Sequence, residues 1–184
     1  ITKIILHGTS GAHSNKGAAE ICKRSWHSAW NKKTDYKASA DFAVDDVNIV
    51  QFNPDLDYYS SFSTSNGKEF DRKGVSIEMC TTYDKRMTSI GITNAYPNTE
   101  MWSFTEKVLK NTRQLIYMLF EKYGDMSKEL PLEIVTHYEA TGKSCPAVVG
   151  WNKGQLYDIK NEKIVNKFST TEEYDKFITS VKEG

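Results

Sequence analysis

The chain has 184 residues, with 24 Lys and Arg against 24 Asp and Glu, so its formal net charge is zero. Its length suits one domain with a single core, and its composition, 39% hydrophobic and 26% charged, is that of a globular protein. No stretch approaches the ~20 apolar residues of a membrane span, and a neutral chain has no basic field to attract nucleic acid.

The opening of the chain predicts a buried strand. Residues Ile1–Leu6 form a short apolar run with β-branched side chains, which is typical of a strand buried on both faces. The segment His7–Gly11 is rich in small residues, so we expect His7 to end this strand where it meets a loop, a frequent place for site residues. Apolar residues at three- to four-residue spacing then predict a helix over 16–31.

Two more strands and a long loop follow. Residues 40–44 and 48–52 read as a hairpin around Asp45 and Asp46. Residues 53–74 are rich in Asp, Ser, Asn and Tyr, which predicts a loop, and long ordered loops in compact domains are often functional. A further loop is expected over 83–99.

Residues 75–80 predict a central strand by strict alternation. Val75, Ile77 and Met79 share one face. Ser76, Glu78 and Cys80 share the other. If the apolar face packs on a helix, Glu78 lies on the opposite side of the sheet.

The C-terminal half predicts two helices and one strand. An amphipathic helix is expected over 100–123, ended by Gly124, and a strand over 131–136 that leads into His137. A last helix is expected over 171–181, with Thr170 and Glu173 as its capping box. This order predicts an α/β fold with a mixed central β-sheet flanked by helices. We expect a single domain over 1–184, in which 151–184 forms an extension that packs on the rest.

Four residues suggest a metal site with a proton-transfer group. His7, His137 and Cys145 offer two imidazoles and a thiolate, a suitable ligand set for zinc with a fourth position open to water. Glu78 is then free to transfer protons. Each residue also has a structural interpretation, because strand-end histidines are often solvated, cysteines are usually inert core, and Glu78 can face solvent. Three cysteines in all are too few for a disulfide scaffold.

The segment Thr136–Pro146, which reads THYEATGKSCP, resembles the C-terminal metal motif of zinc N-acetylmuramoyl-L-alanine amidases. Residues Ile4–Thr9 are similar to the first-ligand strand of that family. Ser39–Asp46 resembles its hairpin strand, and Gly74–Cys80 its central strand with the acid/base Glu. The four segments occur in family order over residues 1–151. The family, amidase type 2, includes phage endolysins, bacterial autolysins and peptidoglycan recognition proteins.

The resemblance implies a set of roles. His7, His137 and Cys145 would bind one Zn²⁺, with a water as fourth ligand, and Glu78 would be the catalytic acid/base. Lys143 matches a position where some members carry a catalytically helpful lysine. The implied reaction is hydrolysis of the amide between N-acetylmuramic acid and L-alanine in bacterial peptidoglycan.

The chain also departs from the family pattern. Ala40 stands where one subgroup has a catalytic tyrosine, which places more weight on Glu78. The loop after the hairpin lacks the histidine of many members, so its substrate contacts do not transfer. Tyr58 and Tyr59 remain candidates for binding sugar faces, with anchoring of the loop in the core as an equal alternative. The remaining histidines, His13 and His27, match no motif of the family.

Two other functions are compatible with these residues. The first is a non-catalytic peptidoglycan-binding module of the same fold, although such modules typically lose the cysteine ligand that Cys145 supplies here. The second is a cysteine hydrolase that pairs Cys80 or Cys145 with a histidine. The motifs of common zinc peptidases are absent.

The expected setting is the bacterial cell wall. The protein would be secreted as an autolysin, or released from the host cytoplasm at lysis as an endolysin. We expect a monomer. The chain begins at Ile1 without a recognisable signal peptide, so it is also consistent with a catalytic domain cut from a longer endolysin.

Overall fold

The computed structural model describes residues 1–12, 17, 39–58, 61, 63–64, 68–83, 102–143, 145–146, 148–151, 156–158, 163–165 and 171–184. Twelve elements lie within these ranges. They are β1 (Lys3–Ala12), β2 (Phe42–Val44), β3 (Ile49–Gln51), α1 (Lys68–Lys73), β4 (Gly74–Tyr83), β5 (Trp102–Ser103), α2 (Glu106–Tyr123), β6 (Glu133–Thr136), α3 (His137–Thr141), β7 (Leu156–Asp158), β8 (Lys163–Val165) and α4 (Glu172–Lys182).

The central sheet is mixed, as the sequence predicts. Its strand order is β3-β2-β4-β1-β6, and β5 also pairs with β4. The pairs β1–β4, β1–β6 and β2–β4 are parallel, whereas β2–β3 and β4–β5 are antiparallel. The predicted hairpin around Asp45 is therefore confirmed as β2–β3. Strands β7 and β8 form a separate antiparallel pair.

One face of the sheet carries the apolar core. In β4, Val75, Ile77 and Met79 are fully buried in it, as the alternation predicts. Helix α2 covers this face with most of the stripe expected from its sequence. Leu109 and Tyr123, also expected there, are only partly buried, and the buried members are Val108, Thr112, Leu115, Ile116, Leu119 and Phe120. Because side chains alternate along a strand, Glu78 lies on the other face.

Helix α2 is tied to the hairpin by its first turns. The Thr105 side chain accepts a hydrogen bond from Val108 N at 3.2 Å, which caps the helix, and its hydroxyl also bonds to Asp46. One turn later, Asn111 Nδ2 donates to Asp45 O at 2.9 Å. These bonds fix the end of the β2–β3 hairpin against the helix.

The C-terminal helix α4 shares the main core. Tyr174, Phe177 and Val181 are buried in the same cluster as Trp151 and the sheet residues. The Trp151 ring meets the Tyr174 ring edge-on, with centroids 5.3 Å apart. The elements after residue 150 therefore include a helix packed on the domain.

Several boundaries differ from the prediction. Strand β1 continues to Ala12, so His7 lies within it rather than at its end. Strand β4 extends alongside, Ala12 is the register partner of Thr81, and Thr81 N donates to Thr9 Oγ1, which overrides the loop-like sequence. The segment 53–74 is not one loop, because α1 occupies its end. Helix α2 begins at Glu106, not 100, since Trp102 and Ser103 form β5.

The predicted ends of α2 and α4 differ in detail from the observed ones. Gly124 is the C-cap of α2, but its backbone is extended (φ −85°) rather than left-handed. Helix α4 begins after Thr171, whose side chain makes no capping hydrogen bond, and Thr170 lies outside the described residues. The predicted helix over 16–31 and most of the loop 83–99 also fall outside them. Within the described ranges, no helix combines the length and hydrophobicity that crossing a membrane requires.

Candidate metal centre and active site

Three parallel strands set out the site. His7 in β1 is the register partner of Glu78 in β4, so the two side chains emerge next to each other on the same face. Leu6 is the register partner of Thr136 in β6, and His137 follows directly. The sheet therefore brings His7, Glu78 and His137 close together on three neighbouring strands, although they are far apart in the sequence.

A short helix then returns the chain to that edge. Thr136 caps α3 in a capping box, in which its side chain accepts from Glu139 N and the Glu139 carboxylate accepts from Thr136 N at 2.8 Å. Gly142 ends the helix in the left-handed conformation (φ +77°) that favours glycine. Tyr138 N donates to Cys145 O at 2.8 Å, which holds Cys145 beside the start of the helix.

The three predicted ligands converge. One donor atom from each of His7, His137 and Cys145 lies within 4.8 Å of the other two. The Cys145 Sγ to His7 Nδ1 distance is 3.7 Å, and the two imidazole rings have centroids 4.6 Å apart. The sequence prediction that these residues lie together is confirmed; their role as ligands remains a prediction.

The donor set fits a zinc ion. Both imidazoles are only 2% exposed, and the Nε2 atom of each has no hydrogen-bond partner within the described part of the chain. Buried polar atoms without partners are costly, and neutral imidazole nitrogens and a thiolate are donors that zinc prefers. A cation held by this trio would satisfy atoms that the described residues leave unpaired.

Burial favours the neutral form of all three groups, because it lowers the pKa of each imidazole and raises the pKa of the thiol. It lowers the pKa of His137 to about 4 and that of His7 well below its usual value, with His137 and Lys143 adding to the effect on His7. Burial and, to a smaller extent, the nearby Glu78 raise the pKa of the Cys145 thiol to about 12. Neutral imidazoles suit metal binding, whereas the thiol needs a cation to favour its ionised form.

Glu78 lies beside the cluster without belonging to it. Its Oε1 atom is 4.0 Å from His7 Nδ1, and its side chain is 17% exposed. Burial raises its pKa to about 7, and the positive charge of Lys143 acts in the opposite direction. A carboxyl group that is mostly buried beside a ligand set is suitably placed to exchange protons with a molecule bound there.

Lys143 is exposed, and its positive charge acts on the pKa values of the whole site: His7, Glu78, His137 and Cys145. It therefore lies near enough to influence a developing negative charge. Ala40, predicted to replace a tyrosine, is buried.

The substrate-binding prediction gains no support from contacts at the site. Tyr58 is 79% exposed and follows Asp57, which pairs with Lys122 at the end of α2. Tyr59 lies outside the described residues, as do His13 and His27. The two tyrosines remain candidates from the sequence alone.

Gly8 and Glu139 support the site and were not among the residues predicted from the sequence. The Gly8 backbone forms a hydrogen bond with Cys145, and a Cβ added at Gly8 would lie 3.0 Å from Pro146 Cβ, a tight contact that glycine avoids. Glu139 orders the turn after Thr136. The pattern Thr136-x-x-Glu139 is a capping-box signature, so this second contribution was readable from the sequence.

A family profile and two solved structures are similar to this chain. A family profile described as N-acetylmuramoyl-L-alanine amidase matches residues 1–148. A solved mutant structure of PlyL is similar over 100% of this chain and 85% of its own, with 18% identity and a TM-score of 0.57. The X-ray structure of Apis mellifera PGRP-SA is similar over 80% of this chain and 76% of its own, with 16% identity and a TM-score of 0.45. No curated protein sequence matches significantly.

Proposed function

This chain belongs to the N-acetylmuramoyl-L-alanine amidase family, and from that premise we propose that it is a zinc-dependent peptidoglycan hydrolase. The bond cleaved joins the lactyl group of N-acetylmuramic acid to L-alanine. The protein acts on the bacterial cell wall, as an autolysin or an endolysin. It works as a monomer and as one catalytic domain over 1–184.

The convergence of His7, His137 and Cys145, with Glu78 in register beside them, carries the proposal. A structural zinc site is closed by four protein ligands, whereas a catalytic site has three and leaves one position open. Among the described residues, three donors converge. The side chain beside them, Glu78, is a carboxyl that suits proton transfer. This favours catalysis over a binding module, which needs no acid/base group at that place.

The three residues would hold zinc through two imidazole nitrogens and one sulfur. When bound, zinc supplies Lewis-acid polarisation of the amide carbonyl and lowers the pKa of a water toward ~7. Gly8 supports this arrangement through its backbone hydrogen bond with Cys145, which helps to orient the sulfur.

Glu78 performs the proton transfers. It accepts a proton from the attacking water, which then adds to the carbonyl carbon of the amide. It returns that proton to the nitrogen of alanine as the carbon–nitrogen bond breaks, so that the amine leaves neutral. The register of Glu78 with His7 supports this role, because it puts the carboxyl next to the proposed ligand set.

Lys143 stabilises the oxygen of the tetrahedral intermediate. Its ammonium group is exposed, and its charge already acts on every titratable group of the site. An exposed position leaves it free to approach a substrate that lies across the edge of the sheet. A preorganised donor is typically worth a few kcal/mol of barrier, and an exposed lysine is expected to contribute less, about 1.4 kcal/mol.

The test is product analysis on purified Gram-positive peptidoglycan. New alanine amino termini and new reducing sugar ends are assayed in parallel, with chelator and with zinc added back. We expect amino termini that disappear with chelator and return with zinc. New reducing ends instead would identify a glycosidase. Binding to cell wall without any product would identify a binding module, and chelator-resistant amidase activity would point to a cysteine hydrolase.

A further inference from the structure

We infer that helix α4 holds the segment carrying two of the zinc ligands in place, and that Tyr174 is the positioning residue through which it acts. The segment runs from His137 to Cys145. The inference rests on the proposed function, because it assigns a role toward the same metal centre. It concerns a part of the chain that lies beyond residues 1–148, the range of the family match.

The Glu139 carboxylate supports the backbone just before His137. The Glu139 Oε2 atom accepts hydrogen bonds from Thr136 N at 2.8 Å and from Thr136 Oγ1 at 3.2 Å. These bonds fix the backbone of the residue before His137 and the first turn of α3. The position of the His137 imidazole therefore depends on the Glu139 carboxylate.

The Tyr174 hydroxyl, on α4, contacts the Glu139 carboxylate. The Tyr174 hydroxyl lies 3.3 Å from the same Oε2 atom and 3.5 Å from Ile134 O in β6. Burial, reinforced by Glu139, raises the pKa of the phenol above its usual value, so it stays protonated and donates. One hydroxyl on α4 thus reaches both the capping carboxylate and the strand that leads to His137.

Helix α4 also contacts the chain just beyond Cys145. Tyr174 N donates to Gly150 O at 3.1 Å, and the Trp151 ring packs on Tyr174. Gly150 has a left-handed backbone (φ +77°), and a Cβ there would lie 2.6 Å from Glu173 Cγ. The same turn of α4 therefore restrains both sides of the ligand-bearing segment.

The consequence is a measurable effect on the metal. Groups that orient a metal ligand typically change metal affinity 10- to 100-fold when they are removed. Tyr174 acts one residue further away, through Glu139. We therefore expect removal of its hydroxyl to weaken zinc binding by about 3- to 10-fold, which reaches only the lower limit of that range.

The experiment compares Tyr174→Phe with Tyr117→Phe in the full chain. Tyr117, in α2, donates its hydroxyl to Ser180 O in α4 at 3.2 Å, at the far end of α4 from Tyr174. Both variants lose one hydroxyl and keep the ring, so they are matched for the loss of a hydrogen bond between α4 and the rest of the chain. Zinc affinity is measured by competition with a chromophoric chelator, and the ligand field by the visible spectrum of the Co²⁺-substituted protein.

We expect Tyr174→Phe to raise the zinc Kd by about 3- to 10-fold and to shift the Co²⁺ bands, and Tyr117→Phe to change neither. If the two variants behave alike in zinc affinity and spectrum, Tyr174 only stabilises the fold and the inference is wrong. The unfolding midpoint of each metal-free variant serves as the check that both are folded.

A double-mutant cycle tests the route through Glu139. Glu139→Gln keeps an acceptor oxygen and removes the charge, so it is also expected to weaken zinc binding. If Tyr174 acts through Glu139, adding Tyr174→Phe to Glu139→Gln lowers zinc affinity by less than it does in the wild type. Full additivity would overturn the route. A wild-type chain that binds no zinc would overturn the proposed function itself, and that result is distinct from either outcome for Tyr174.

Discussion

The two faces of the central sheet use the same strands for different ends. On one face, Ile77 and its neighbours in β4 are fully buried against α2. On the other, Glu78 lies next to His7, only one position further along the same strand. Alternation along a strand thus separates stability from chemistry at single-residue resolution.

The two faces also differ in how burial is compensated. Burying apolar groups against α2 is favourable in itself, at about 25 cal/mol per Å². On the site face, burial disfavours the charged forms of the imidazoles, the thiol and the carboxyl, as the shifted pKa values of His137, Cys145 and Glu78 indicate. Under the proposed function, zinc is the ligand that compensates for this burial.

The largest expected effect is on the site face, from Cys145→Ser. Loss of the sulfur should weaken zinc binding by more than about 100-fold, beyond the effect of removing a supporting group. Chelator should therefore lower the unfolding midpoint of the wild type but not of the variant, because metal binding is linked to folding. Cys80→Ser, at the other described cysteine, is the control and should keep its zinc. Equal zinc content in both variants would contradict the ligand assignment.

On the core face, Ile77→Ala should act on stability alone. Ile77 is fully buried, so its truncation should cost about 2–5 kcal/mol of the free energy of unfolding, measured by chemical denaturation. Hydrolysis per folded molecule should stay close to wild type. Ile49→Ala, at a position 38% exposed on β3, is the matched control and should cost much less. A large fall in turnover of folded Ile77→Ala protein would show that the two faces are not independent.

The sequence predicted this division because alternation in β4 is local. Val75, Ile77 and Met79 against Glu78 needed no knowledge of the partner strands. The position of His7 within β1 was not predictable in that way, since the chain around Gly8 forms a strand only by pairing with β4. The link from Tyr174 to Glu139 joins residues 35 apart and has no local signature.

The smallest expected effect is that of Lys143→Ala. Lys143 is exposed, so the free energy of unfolding should change by less than about 0.5 kcal/mol. Turnover should fall by about 10-fold with little change in KM, because the contact forms mainly in the transition state. Lys143→Arg should recover part of the loss. Wild-type turnover in Lys143→Ala would remove this residue from the catalytic group.

The most direct test of the separation between faces is Glu78→Gln, measured for three properties in one preparation. We expect full zinc content, a free energy of unfolding equal to or above that of the wild type, and a release of alanine amino termini reduced by about 10²- to 10⁴-fold. Glu133→Gln, an exposed carboxyl on the same sheet that pairs with Lys3, should behave as wild type in turnover. Near-normal release of alanine amino termini by zinc-loaded Glu78→Gln protein would contradict the assignment of this face to catalysis.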